Sequence, residues 1–309
     1  MNKLLNKISP WIKKAQDKKL TAGMIGGLIV LLIGGVFVFN KISAPKLEEL
    51  PIQEVDLPFD PEGPYAILNP RADGDALVLN LTRVSSYKNI SYELAYNSTG
   101  NGSEDGEGVG SIDRGVTGSV DTKSKKSEYS QEILFGTCSQ GYTSGGAHCV
   151  FDKGVENGTL TLRVEKELEK GATVRIVYKM ITTWHLQKPD FALGKLSSGD
   201  AHFNYTSTAS RNDLANVGYS IINDLSGVPK LPEGKSIIGK VYALSVPNTR
   251  TMPKGQISIE LAENPSAEVK IYRYVESDNS WKELSTKVSG STLSADSDSG
   301  GIFAVLSAS

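Results

Sequence analysis

The side chains from which an active or metal site would most readily be built are three histidines, two cysteines and a few close acidic pairs, in a chain of 309 residues. His148 adjoins Cys149, His185 follows Trp184 at the end of an alternating run, and His202 stands in a separate run. No spacing among them sets two imidazoles on one zinc ion. Cys149 beside His148 would act as a thiolate nucleophile only with a third group to orient the base, and none stands nearby in sequence. G-x-S-x-G, H-E-x-x-H, a phosphate-cradling glycine loop and a G-x-G-x-x-G after a strand are all missing from the sequence. The expectation is no catalytic residue, no cofactor and no enzyme.

Asp73 and Asp75 in RADGDA, and Asp296 and Asp298 in SADSDSGG, are weak calcium candidates. Neither pair completes a twelve-residue calcium loop or supplies its bidentate Glu, so both read as solvated turns and no metal is expected. Glu104, Asp105 and Glu107 lie in a glycine-rich stretch that would have to lose entropy to close on an ion. Cys138 and Cys149 read instead as a disulfide. The ten residues between them, SQGYTSGGAH, make a Gly/Ser-rich hairpin tip, and closing a loop that short contributes about 3 kcal/mol. Such a bond requires an oxidising compartment. Tyr142, in that tip, is the candidate exposed binding residue. Tyr65, Tyr87, Tyr92, Tyr96, Tyr205 and Tyr219 fit core or cross-strand positions. Six Asn-x-Ser/Thr sequons, at Asn80, Asn89, Asn97, Asn101, Asn157 and Asn204, would accept sugar only where the machinery exists.

The elements that must position these residues begin with Leu20 to Phe39, LTAGMIGGLIVLLIGGVFVF, which carries no charge. At a helical rise of about 1.5 Å per residue it spans roughly 30 Å, the hydrocarbon thickness of a bilayer. Lys3, Lys7, Lys13, Lys14, Lys18 and Lys19 precede it, while only Lys41 and Lys46 follow closely, which keeps the N-terminus in the cytoplasm. A cleaved signal peptide would have a shorter apolar run of about 7–15 residues, so an uncleaved single-pass anchor is expected. Residues 1–19 read as a basic amphipathic helix on the inner leaflet, and Gly23 and Gly27 permit helix pairing and a homo-oligomer. Residues 40–64 alternate prolines with Glu and Asp and read as an extended stalk reaching about 60 Å. Seven of the 33 basic and one of the 35 acidic side chains fall in residues 1–41, leaving 26 and 34, a net of −8 for the remainder. That sign excludes nucleic acid and anionic headgroups as partners of the outer part.

From residue 65 the period is two. Leu77, Leu79 and Leu81 alternate with Val78, Asn80 and Thr82; Leu160, Leu162 and Val164 alternate with Thr159, Thr161 and Arg163. Further strands are expected at 91–96, 132–137, 174–180, 202–206, 218–222, 237–244, 256–261, 268–274, 281–284 and 301–306. Residues 98–129, rich in Gly, Ser and charge, read as a mobile loop region, and VPKLPEG at 228–234 reads as a boundary between β modules. The expected fold is an all-β ectodomain of two antiparallel Ig-like β-sandwich modules, 65–227 and 228–309, on a single N-terminal transmembrane helix.

Residues 268–306, with Ile271, Tyr272, Tyr274, Trp281, Leu284 and Gly301 to Val305 in order, resemble the closing half of ZU5-like and Ig-like β modules of bacterial and archaeal surface proteins. The stretches SYELAYNS, DRGVTGSV, ILFGTCSQ and GTLTLRV are similar to Ig-like ectodomains of membrane-anchored proteins from small-genome bacteria. The resemblance implies a surface or periplasmic β-sandwich with a hairpin disulfide, and it transfers no catalytic residue. The expectation is a non-enzymatic membrane protein contacting the lipid bilayer and a cell-surface or envelope protein or glycan. The alternatives are a structural subunit of a pilus or envelope assembly, joined by processing or strand exchange, and an envelope hydrolase with a histidine–carboxylate pocket.

Overall fold

The computed structural model describes residues 50–308 except 58, 60, 62, 100–109, 125, 140–147, 169 and 189–193. The expected tail 1–19, the membrane segment 20–39, Tyr142, Asn101 and the acids Glu104, Asp105 and Glu107 lie outside the described residues. Among the described residues no helix is long and apolar enough to cross a membrane.

Alternating apolar side chains produce strands along nearly the whole described chain. They are β1 (Ile52–Asp56), β2 (Tyr65–Pro70), β3 (Ala76–Thr82), β4 (Tyr87–Thr99), β5 (Ser111–Val120), β6 (Glu128–Leu134) and β7 (Gly136–Ser139). The middle holds β8 (His148–Phe151), β9 (Asn157–Lys166), β10 (Arg175–Gln187), β11 (Lys195–Ser197), β12 (Phe203–Ser207) and β13 (Ser220–Asp224). The rest are β14 (Lys235–Ser245), β15 (Gly255–Glu260), β16 (Val269–Val275), β17 (Ser280–Glu283), β18 (Thr286–Ser289), β19 (Thr292–Ser297) and β20 (Gly301–Ala308). A short helix, α1 (Arg211–Val217), starts at Ser210, whose side chain accepts from the Asp213 N–H, and buries Leu214 and Val217.

One ten-stranded sheet, in the order β17-β16-β20-β14-β13-β10-β9-β4-β5 with β1 beside β10, runs through the molecule. A three-stranded sheet, β2-β3-β6, supplies Leu68, Leu77, Leu79, Leu81 and Ile133 to a first core shared with Leu94, Leu160, Met180 and Trp184. A five-stranded sheet, β11-β12-β15-β19-β18, supplies Phe203, Tyr205, Ile257 and Leu293 to a second core shared with Tyr242, Leu244, Phe303 and Ile271. Successive residues of a strand face opposite sides. Ile221 therefore joins the first core and its neighbour Ile222 the second, so the two layers cover opposite faces of the long sheet.

Three sequence expectations change. The cores do not divide at 228–234: β11, β12, α1 and β13, all upstream of it, contribute Leu196, Phe203, Tyr205, Val217 and Ile222 to the C-terminal core. The two sandwiches share one sheet, and β1 pairs with β10 in parallel. The segment 40–64 is not a stalk throughout, because β1 is held by Glu54 3.5 Å and Asp56 2.8 Å from the Lys179 ammonium, with Arg163 3.4 Å from Glu54. Part of the loop expected at 98–129 is β5. Gly118 lies opposite Tyr92, and a Cβ there would stand 2.3 Å from the phenol oxygen, so the bare glycine lets that ring fold across the strand. The β7–β8 pair sets Cys138 opposite Cys149, and the disulfide expected from the sequence is present.

Candidate functional site

Period-two alternation also gives the three-stranded sheet a polar face, and neighbouring positions on it come from all three strands. Asn80 lies opposite Ser130 and Thr82 opposite Glu128, while β2 sets Tyr65 beside Thr82 and Ile67 beside Asn80. This face borders a groove of about 1280 Å³ whose other side is Ala243, Tyr274 and Ile302 of the long sheet. The groove continues over the strand ends to Asn248, Arg250, Thr251, Arg273 and Ser299. Enclosed small-molecule sites are commonly about 300–1,000 Å³. The larger open trough suits an extended ligand.

Its polar groups are ordered by neighbours. Asn69 Nδ2 donates to Asn248 Oδ1 at 2.8 Å, and Arg83 Nη1 donates to the carbonyls of Pro61 at 2.7 Å and Val228 at 2.9 Å. Arg273 Nη1 donates to Ser299 Oγ at 2.8 Å and reaches Ser297 Oγ at 3.5 Å. Burial pushes the Tyr65 phenol up to about 12; a hydrogen bond with Thr82 works against this, and the charges of Tyr274, Glu276 and Glu128 add to it. Burial also raises Tyr274, with Glu276 and Glu128 adding, so both phenols stay neutral donors. Four cationic side chains, Arg83, Lys230, Arg250 and Arg273, line the groove against two carboxylates, Glu128 and Glu276. No histidine or cysteine is among its described lining residues. The arrangement offers hydrogen-bond donors and acceptors and a positive bias, which suits reversible binding.

The residues singled out in the sequence are dispersed. Asp73 accepts from Arg71 Nε at 2.8 Å, the bond that chiefly holds its carboxyl below the usual range, and from the Asp75 N–H at 3.0 Å. Asp298 lies 3.8 Å from Lys254, and Asp296 faces Gln256 across the β15–β19 pair. No group of three or more His, Cys, Asp or Glu side chains that could hold a metal occurs among the described residues. His148 pairs with Ser139 in the small hairpin sheet; His185 Nδ1 meets Asn157 Oδ1 at 2.5 Å; His202 Nδ1 lies 3.8 Å from Glu260 at the surface. The sequon amides of Asn89, Asn97 and Asn204 donate to Glu165 at 2.7 Å, Asp113 at 2.9 Å and the Ala201 carbonyl at 3.1 Å. Of the candidate site residues singled out in the sequence, Asn80 and Tyr65 alone are among the groove's described lining residues. Asn69, Asn248, Arg250 and Arg273 were missed. Their one signal was the polar half of the strand alternation.

A second polar cluster lies beyond the groove. Asp200 accepts from Lys240 at 2.9 Å, Tyr242 at 3.0 Å, Ser198 at 2.6 Å and the His202 N–H at 3.2 Å, and Asp224 accepts from Lys240 at 2.7 Å. Gly239, at φ +74, permits the β14 bulge that aims Lys240 at both carboxylates. Burial disfavours the Asp200 charge, but the donors together outweigh it and bring its pKa to about 2. A carboxyl depressed in the folded state stabilises above its unfolded pKa, about 3.9, and loses that contribution as pH falls through the folded value. The stability difference between wild type and Asp200→Asn should therefore shrink as pH drops from about 4 to about 2, read as thermal midpoints of both proteins across that range. A constant difference would show that the cluster does not hold Asp200 ionised.

No protein-family model, curated protein or solved structure matches the chain.

Proposed function

We propose that this chain is a non-enzymatic, membrane-anchored protein whose extracytoplasmic β domain binds a cell-surface or envelope glycan in the groove between the three-stranded and ten-stranded sheets. The observation that carries this reading is the lining: amides and hydroxyls of Asn69, Asn80, Thr82, Ser130, Asn248 and Thr251 in an open trough of about 1280 Å³. Sugars are recognised by such groups, each satisfying a hydroxyl at modest cost. The uncharged run 20–39 and its leading lysines support the anchor and its orientation. Kinship with Ig-like and ZU5-like surface modules is supported by strand order: Ile271, Tyr272 and Tyr274 fall in β16, Trp281 in β17 and Gly301 to Val305 in β20.

Protease shaving of intact cells with peptide mapping checks the topology. Peptides from residues 50–309 should be released while 1–19 stays protected. Recovery of the intact chain from the soluble fraction without detergent would refute the anchor. Glycan-array binding by the full chain in detergent checks the ligand class, and a silent array would refute the glycan.

A second reading, self-assembly in the envelope, is favoured by β5, a ten-residue strand that ends the long sheet and pairs only with β4 among the described strands. Such an edge can accept a strand from another copy. A Thr117→Pro variant would abolish assembly seen by light scattering if that edge were used.

A further inference from the structure

We infer that the groove selects acidic saccharides, and that Arg273 is the group that receives the ligand's carboxylate. This rests on the glycan reading above and adds the charge of the sugar.

Arg273 leaves β16 on the face of Ile271, where the β19–β20 connection meets it. Its hydrogen-bond partners are neutral. Ser299 Oγ and Ser297 Oγ accept from Nη1 at 2.8 and 3.5 Å, while the hydroxyl of Ser297 donates to the Ser299 carbonyl at 2.8 Å and that of Ser299 to the Gly300 carbonyl at 3.2 Å. The serine protons are thus spent on the backbone, which turns oxygen lone pairs toward the guanidinium and fixes its plane. Among the described residues no carboxylate lies in ion-pair range of Arg273; Glu268 is 3.1 Å from Lys270 and Asp298 is 3.8 Å from Lys254 instead. Arg273 is nonetheless half-buried, and its Nε is shut from solvent with no acceptor among the described residues.

A partly desolvated cation is ordinarily matched by an anion, because burial penalises a charge without a partner. Guanidinium presents its donors as a fork that fits a carboxylate through two parallel bonds. The part of the guanidinium left open to the groove can take a carboxylate, and the amides and hydroxyls of Asn80, Thr82 and Ser130 can take hydroxyls, so a ligand carrying both fits. A uronic acid residue has both on one ring. The net charge of −8 over residues 42–309 makes the cationic lining unusual for this surface and works against general attraction of anions.

The test is calorimetric titration of the full chain in detergent with three probes of similar length: oligogalacturonate, neutral galacto-oligosaccharide and oligoglutamate. Oligogalacturonate should bind at least tenfold more tightly than either of the others. Arg273→Gln should remove that margin and leave the neutral sugar unchanged, and Arg273→Lys should restore only part of it, since the fork is lost. Equal binding of acidic and neutral sugars would overturn the role of Arg273 while sparing the glycan reading. No binding of either sugar would overturn both. Oligoglutamate binding as tightly as oligogalacturonate would overturn the saccharide class in favour of an acidic peptide. The wild-type comparison decides these outcomes even if Arg273→Gln, monitored by circular dichroism, does not fold.

Discussion

Asn223→Ala should lower unfolding stability by on the order of 3 kcal/mol, from a side chain that touches no ligand. Asn223 is fully buried in β13, and its amide mimics a strand partner: Oδ1 accepts from the Leu68 N–H at 3.2 Å and Nδ2 donates to the Leu68 carbonyl at 3.0 Å. Leu68 turns both groups away from β3, so without Asn223 two backbone groups are left inside the protein with no partner. Each such group costs about 1–3 kcal/mol. Asn223→Leu, which keeps the volume, should be nearly as damaging as alanine, and that distinguishes a hydrogen-bond loss from a cavity. Urea titration of the three proteins is the measurement. An Asn223→Leu variant as stable as wild type would mean that Leu68 finds another partner.

The second large effect concerns which residues make the C-terminal core. Phe203 is fully buried, with its ring centroid 5.3 Å from Tyr242 and 5.6 Å from Phe303, and it joins β12 to the long sheet. Phe203→Ala should cost about 3–5 kcal/mol through lost burial and the cavity left behind. A fragment covering 228–309 should lack cooperative folding altogether. It retains Phe303, Tyr242 and Ile257 but not Leu196, Phe203, Tyr205, Val217 or Ile222, which cover them. The fragment is expected to show no dispersed amide proton spectrum, whereas one beginning at residue 194 keeps all the covering strands. A folded 228–309 fragment would restore the boundary suggested by composition.

Much of the strand inventory was legible because half-burial leaves a period-two trace. The run Leu77, Leu79, Leu81 became β3 and the run Leu160, Leu162, Val164 became β9, each with those residues inside the first core. The exceptions have physical causes. β13 reads SIIND, with four successive buried residues, because sheets cover it from both sides; alternation vanishes where neither face meets water. β5 reads as a loop because Gly115 and Gly118 interrupt its alternation, and the place beside Gly118 is filled by the Tyr92 ring from the adjoining strand. β1 looks like part of a stalk because its charges, Glu54 and Asp56, are paired by Arg163 and Lys179 more than a hundred residues away.

The groove was scarcely legible. Asn69, Asn248 and Arg273 come from strands and a loop spread over about two hundred residues, and each alone resembles any surface side chain. Period two states which residues share a face, but not what that face meets. By itself the sequence determined the uncharged run and its lysine flank, the excess of acid beyond it, the β class and the proximity of Cys138 to Cys149, since all of these depend on composition or on neighbours along the chain. The tertiary structure alone decided that both sandwiches share one sheet and that a polar face of β2, β3 and β6 lies along a trough rather than open water. Those outcomes depend on contacts between distant segments, where packing and the satisfaction of buried polar groups choose among arrangements that local pattern leaves equal.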